Sequence, residues 1–367
     1  MSITVEIEDD GAVDYEWAIN QDANILERLK YLPARNELYN SLWTKRKTIC
    51  SLIRHQLGLD HRDICNVASP REWIQGSFNV CIPVEVQSNH LHQKYLLRCC
   101  LPHKLAETSY PGTMDEKLRC EMVMLENEGI PRTMGTTDTY PSAELYVTDM
   151  LTFYDNCLLS NPNAVFDDED CREKMAVKTL LRALSHRFIR RETRNGPFIL
   201  QLTDLHASNV FVDDEWNLVC LVDLEWICAL PSEMLAVPCW LTGHGVDELE
   251  GELLEEFEEM RLEFMRFFEE EEQELVSRHS LSLANIMDET WTSKGVWFWH
   301  CIKSLHAMTS LARAHICPQF STRLTSVAEI LSKFWCVDSH RMVEKKVADL
   351  QRYEEDLRHC FDRDNAN

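Results

Sequence analysis

Residues 198–226, FILQLTDLHASNVFVDDEWNLVCLVDLEW, admit few folds. The apolar runs are too short for helices, and turn-forming residues bound them. Phe198 to Leu202 is expected to form a short buried strand and TDLHAS a loop. Asn209 to Asp213 and Leu218 to Asp223 are then two strands joined by a turn at Asp213 to Asn217. Asn209 and Asp223 lie symmetrically about position 216, so antiparallel pairing sets them side by side at the open end of this hairpin. Asp204 leads into the same end.

Asn209 and Asp223 are hard oxygen donors of the kind that suits Mg²⁺, which keeps several waters and takes one or two protein ligands plus phosphates. A carboxylate five residues before the Asn is left to accept a proton from a hydroxyl. This spacing, D-x-x-x-x-N with a later Asp, is that of kinase-type phosphoryl transfer. D-x-x-x-x-N is a common spacing, and the residues alone fit a plain hairpin with turn-favouring Asp and Asn at its ends better than a catalytic site.

Around this block the chain alternates in character. Residues 22–57 carry apolar positions at helical spacing in two stretches broken by Pro33, a helical N-terminal extension. From 72 to 101, EWIQGSFNVCIPVEVQ and HQKYLLRCCL are two strands around a polar turn at Ser88 to His90. DEKLRCEMVMLE, 115–126, has the pattern of a helix capped by Asp115. Ser142 caps a helix to about Leu159, and a longer helix runs from Asp167 to Arg191. An aromatic-rich helix is expected at 290–315 and a last amphipathic one from Ser339 to about Phe361.

The net charge of −24 is concentrated: Asp247 to Glu274 holds fourteen acidic residues against Arg261 and Arg266, which is −12 in one segment. Leu253, Leu254, Phe257, Met260, Phe264, Phe267 and Phe268 recur there at helical spacing, so the segment is an amphipathic helix with a solvated acidic face. Such a surface argues against nucleic acid and tolerates a cationic partner. Fifteen cysteines without CxxC pairs, no apolar leader and no long apolar run point to a reduced, soluble, cytoplasmic protein without a membrane segment. Trp291, Trp297 and Trp299 suit core packing better than a binding wall. His61-Arg62-Asp63 spells a catalytic-loop triplet, but Ala68 stands where an Asn is needed.

LTDLHASNVFVDDEWNLVCLVDLEW closely resembles the catalytic-loop and metal-loop region of the aminoglycoside phosphotransferase-like family, especially its fungal branch, and WIQGSFNVCIPVEV resembles that branch's glycine-loop region. The resemblance implies an α+β, protein-kinase-like bilobal fold. Its parts would be a helical extension at 1–64, a reduced N-lobe sheet at 65–135, a mainly helical C-lobe at 136–325 and a C-terminal helix at 326–367. It implies transfer of the ATP γ-phosphoryl group to a hydroxyl of a small molecule, with ATP and Mg²⁺ bound. Asp204 would be the catalytic base and Asn209 and Asp223 the Mg²⁺ ligands. Gly76 and Ser77 would lie over the phosphates, and Arg98 would pair with phosphate and with Glu121. The sequence departs from the family in four places. Leu202 replaces a His before the catalytic Asp, Arg98 replaces a Lys, and Gly76 is a lone glycine. Residues 122–141 leave no room for two further strands and an adenine-gripping hinge. A catalytically inactive pseudokinase or truncated relic acting as a binding protein therefore stays open beside the enzyme.

Overall fold

The computed structural model describes residues 4–60, 62–87, 92–105, 130–133, 139–224, 227–275 and 281–363. Its fold is α+β, and the chain forms two units. One comprises Met1–Ile130, Asn161–Asn163 and Leu350–Asn367, the other Pro131–Ser160 and Ala164–Asp349.

The first unit is built on β5 (Asn79–Gln87), which pairs along its length with β6 (His92–Cys100). Its other edge is shared by β3 (Ile64–Val67) and the short β4 (Ile74–Gln75). Val80, Ile82, Val84 and Val86 alternate onto one fully buried face. They meet Leu38, Tyr39, Leu42, Trp43 and Ile53 of α3 (Tyr31–Thr44) and α4 (Arg46–Gln56). Pro83 is tolerated in this central strand because its ring nitrogen faces the gap between β3 and β4. Its carbonyl accepts from Ala68 N at 2.9 Å on that side. Pro33 does not break the helix as expected. It sits in the first turn of α3, where no backbone donor is needed, and the break falls at Lys45.

The 1–64 segment is not purely helical. It opens with a hairpin, β1 (Thr4–Ile7) and β2 (Gly11–Asp14), followed by the short helices α1 (Tyr15–Ile19) and α2 (Ile25–Arg28). Nor do the two chain ends form separate pieces. Ile7, Val13, Ala18 and Ile25 share a core with Tyr353, Leu357 and Phe361. The Tyr353 hydroxyl accepts from Ile25 N at 3.0 Å. Asn163 ties the connecting turn by donating to the carbonyls of Gln21, Asp22 and Ala23.

The second unit is mainly helical. α5 (Ala143–Ser160) and α6 (Asp168–Phe188) start where the sequence placed them, with Asp167 accepting from Asp170 N as the α6 cap. The acidic segment forms α7 (Gly251–Leu275), which buries Phe257, Arg261 and Met265; Phe267, expected on the apolar stripe, is half exposed. The single helix expected at 290–315 is instead α8 (Leu283–Thr292), α9 (Gly295–Lys303), α10 (Met308–Leu311) and a π-turn at Ala312–Ile316. It breaks at Lys294, whose φ is 60°. Trp291, Trp297 and Trp299 are buried, Trp297 stacking on His315 at 3.7 Å. α11 (Leu324–Ser332) packs near α6, and α12 (Ser339–Arg363) closes the chain. Among the described residues no helix is long and apolar enough to cross a membrane.

Candidate functional site

The site is carried by four strands of the second unit. β7 (Phe198–Leu202) pairs antiparallel with β10 (Ile227–Pro231), and β8 (Val210–Val212) pairs with β9 (Leu218–Leu221). β7 is not the buried strand its composition suggests. Gln201 is its buried residue, while Leu200 is 76% and Leu202 40% exposed, because only one face of the two-stranded ladder is covered.

The loop after β7 turns through Asp204 into a 3₁₀ turn at Ala207–Asn209. Asn209 is buried, and its amide nitrogen donates to the Asp204 carbonyl at 2.8 Å. This bond fixes the loop that presents the Asp204 carboxylate and leaves the Asn209 amide oxygen as that side chain's acceptor. Asn209 O accepts from Val222 N at 3.0 Å, which locks the loop to the end of β9.

The hairpin register differs by one residue from the symmetric expectation. Val210 pairs with Leu221 and Phe211 with Cys220, then the register shifts so that Val212 meets Leu218. Val219 is the extra residue of this bulge, and the turn beyond it is centred on position 215, where Asp213 N donates to Asn217 O, the Asp213 carboxylate takes the backbone N–H groups of Glu215 and Asn217, and Trp216 adopts φ 65°. The Asn217 side chain and backbone hold the Asp213 carboxyl below its usual range. Asn209 therefore opposes Val222, and Asp223 comes one position later. Asp223 has φ 53°, a left-handed conformation that costs an L-residue energy, although Asp tolerates it better than most.

Asp204, Asn209 and Asp223 nonetheless line one cleft, with Leu202, Leu205, Val222 and Leu224. The space it encloses is about 10 Å³, on the order of a single water, so it has room for one ion or water, and phosphate oxygens or further waters would sit outside it. An amide oxygen and a carboxylate are the donor set that Mg²⁺ accepts when phosphates and waters complete its shell. Among the described residues no group of three or more His, Cys, Asp or Glu forms a self-sufficient metal site, so a metal here would need such outside oxygens.

The remaining sequence candidates lie in the first unit. Gly76 and Ser77 belong to the three-residue turn between β4 and β5, which Gly76 N closes on Asn79 O at 2.8 Å. Gly76 does not have a positive φ, and a Cβ there would meet only Asn79 O at 3.7 Å, so the turn itself does not demand glycine. Ser77 is exposed. With the Asn79 amide oxygen facing it, Arg98 donates through Nε and Nη2 at 2.9 and 2.7 Å. Asn79 was not singled out from sequence; only the strand register, pairing Cys81 with Arg98 and Asn79 with Cys100, puts it there. Glu121 and the 115–126 helix lie outside the described residues.

A second hollow lies under α7 and α9, lined by Cys239, Phe257, Trp291, Trp297 and His300. Burial pushes the Cys239 thiol up to about 11 and the His300 imidazole down to about 3, with Lys303 and His315 adding to the latter. Burial thus favours the neutral form of both side chains. No family model matches the chain, and no curated protein or solved structure matches it.

Proposed function

We propose that the chain is a kinase-like phosphotransferase of bilobal design that moves the γ-phosphoryl group of ATP to a hydroxyl of a small molecule. The observation that carries this reading is the convergence of Asp204, Asn209 and Asp223 on one cleft. The Asn209 amide is tied to the Asp204 backbone, and Asp223 is held in a left-handed turn. A left-handed residue at a polar cleft is compatible with a functional role for its carboxylate.

In this reading Asp204 orients the acceptor hydroxyl and takes its proton as the oxygen bonds to phosphorus and ADP leaves. Asn209 and Asp223 would hold Mg²⁺, which when bound offsets charge on the phosphate oxygens. Leu202 lines the cleft beside Asp204. Phosphate contact by Gly76, Ser77 and Arg98 is proposed on the sequence resemblance alone. The acidic face of α7 favours a cationic acceptor over an anionic one.

A second reading, a non-catalytic binding protein, draws support from the first unit. Two Arg98 donors are engaged by Asn79, and Gly76 occupies a turn that would accept alanine. Thermal unfolding with Mg-ATP, with ATP plus chelator and with Mg²⁺ alone separates the two. Site-specific binding stabilises by about 2.7 kcal/mol at a hundredfold ligand excess over Kd. The enzyme reading expects a shift with Mg-ATP that Asp223→Ala abolishes. It also expects Asp204→Asn to bind Mg-ATP without turning it over on a panel of hydroxyl acceptors. A wild-type chain that melts cooperatively and unshifted with Mg-ATP overturns the enzyme reading.

A further inference from the structure

The turn of the β1–β2 hairpin buries a charge that its small apolar core does not need. The Glu8 side chain is fully buried, against 9% exposure for His103 and 5% for Lys104. A buried carboxylate costs several kcal/mol unless it is paired and hydrogen-bonded. Glu8 is both. His103 Nε2 lies 3.1 Å from its Oε2, Lys104 Nζ 3.6 Å away, and Gln75 Nε2 donates to Oε1 at 2.7 Å. Asp9, the next residue, pairs with Lys104 as well. Burial raises the Glu8 carboxyl, but the His103 hydrogen bond and the charges of Lys104 and His103 more than offset this, leaving it below its usual range.

These partners share one location. Gln75 immediately precedes Gly76, and its Oε1 accepts from the Tyr39 hydroxyl at 3.1 Å. His103 and Lys104 lie in the 3₁₀ turn Pro102–Lys104, directly after Leu101, whose N–H donates to Phe78 O at 2.9 Å. Glu8 thus bridges the start of the Gly76–Phe78 loop and the turn that fastens its end. Were the hairpin needed only for its core with Ile25, Tyr353 and Leu357, an apolar residue at position 8 would avoid the desolvation cost.

We infer that the β1–β2 hairpin is a strap fastened to the Gly76–Phe78 loop, with Glu8 as the positioning residue that holds both ends of the loop through Gln75 and His103. The consequence for nucleotide rests on the proposed function, in which this loop faces phosphates; the strap itself does not.

Hydrogen exchange of the full chain, read in peptides covering 4–14 and 74–79, tests it. Glu8→Ala is expected to speed exchange about tenfold or more in both peptides, and Gln75→Ala, which removes one bond to buried Glu8, to speed it in 74–79 and by less in 4–14. Loop amides that stay at the wild-type rate in Glu8→Ala while the hairpin loosens overturn the strap. Should Glu8→Ala fail to fold, Glu8→Gln, which keeps the size and one acceptor, is read by the same criterion. Positioning of phosphate, beyond simple support, predicts that Glu8→Gln weakens Mg-ATP binding about fivefold or more while adenosine binding is unmoved. Equal weakening of both ligands overturns the positioning role. If wild type binds neither, the phosphotransferase reading falls, and the exchange rates still decide the strap.

Discussion

Replacing Asp223 by Gly and by Ala separates its backbone from its side chain. Both variants delete the carboxylate and every interaction it makes, so their difference isolates the cost of a Cβ at φ 53°. Alanine in the left-handed region pays about 1 kcal/mol or slightly more, and glycine pays almost none. Glycine's larger unfolded-state entropy returns part of that, about 0.4–1 kcal/mol. The net expectation is that Asp223→Gly is more stable than Asp223→Ala by about 0.5 kcal/mol, or about 1–2 °C for a domain of 150–250 residues. Urea unfolding followed by tryptophan fluorescence is a suitable assay, since Trp291, Trp297 and Trp299 of the same unit are buried and become solvated on unfolding. Neither variant should respond to Mg-ATP. If Asp223→Ala is as stable as Asp223→Gly or more so, Asp223 is not held left-handed, and the backbone strain assigned to this cleft is refuted.

Trp216 has φ 65° and is 85% exposed, so Trp216→Gly should relieve strain with little packing lost and raise stability by about 0.5–1 kcal/mol, measured by urea unfolding. Gly76→Ala should leave the melting temperature within about 1 °C, since the added methyl meets only Asn79 O, yet lower Mg-ATP affinity if phosphate approaches the loop backbone. Stability should fall on mild acidification because of His300, whose pKa is down to about 3 in the folded chain against about 6.5 unfolded. The unfolded state then binds a proton that the folded state refuses. The contribution is complete above pH 6.5 and declines by up to about 1.4 kcal/mol per unit as pH drops toward 3. His300→Phe should flatten that slope between pH 6.5 and 5 in urea titrations, even if it lowers stability at pH 7.

Helix starts were legible because their signals are local. Ser142 and Asp167 take up the free backbone N–H groups of Leu145 and Asp170 at the starts of α5 and α6, and Ser339 is the first residue of α12. The aromatic 290–315 segment lost its break because residues buried on all sides show no periodicity from which to read an interruption, and Lys294 at φ 60° carries no compositional warning. The N-terminal hairpin was missed for a different reason. Four-residue strands are too short to show alternation, and their burial depends on Tyr353 and Leu357, more than three hundred residues away. At the candidate site the convergence of Asp204, Asn209 and Asp223 follows from hairpin connectivity and was legible. The register was not, because the turn is centred on position 215 rather than 216 and a bulge at Val219 then shifts the pairing by one, neither of which alters the apolar pattern.

The same four strands explain why the cleft is both well formed and exposed to failure. Its polar groups are fixed by short-range backbone bonds, Asn209 to Asp204 and Val222 to Asn209, which any intact hairpin preserves. The ladders that support them are two-stranded, and Leu200, Leu202, Phe211, Leu218, Val219 and Ile227 stand exposed on them. A lone pair of strands is marginal in water, and bare apolar surface of this extent favours association. Local geometry at the cleft and occupancy of the cleft are therefore separable properties. A variant can keep the Asn209 and Asp223 positions and still lose ligand through fraying of β8 and β9. For that reason a loss of Mg-ATP response after a change in the hairpin argues for a metal role only when exchange at the Val222 amide stays slow.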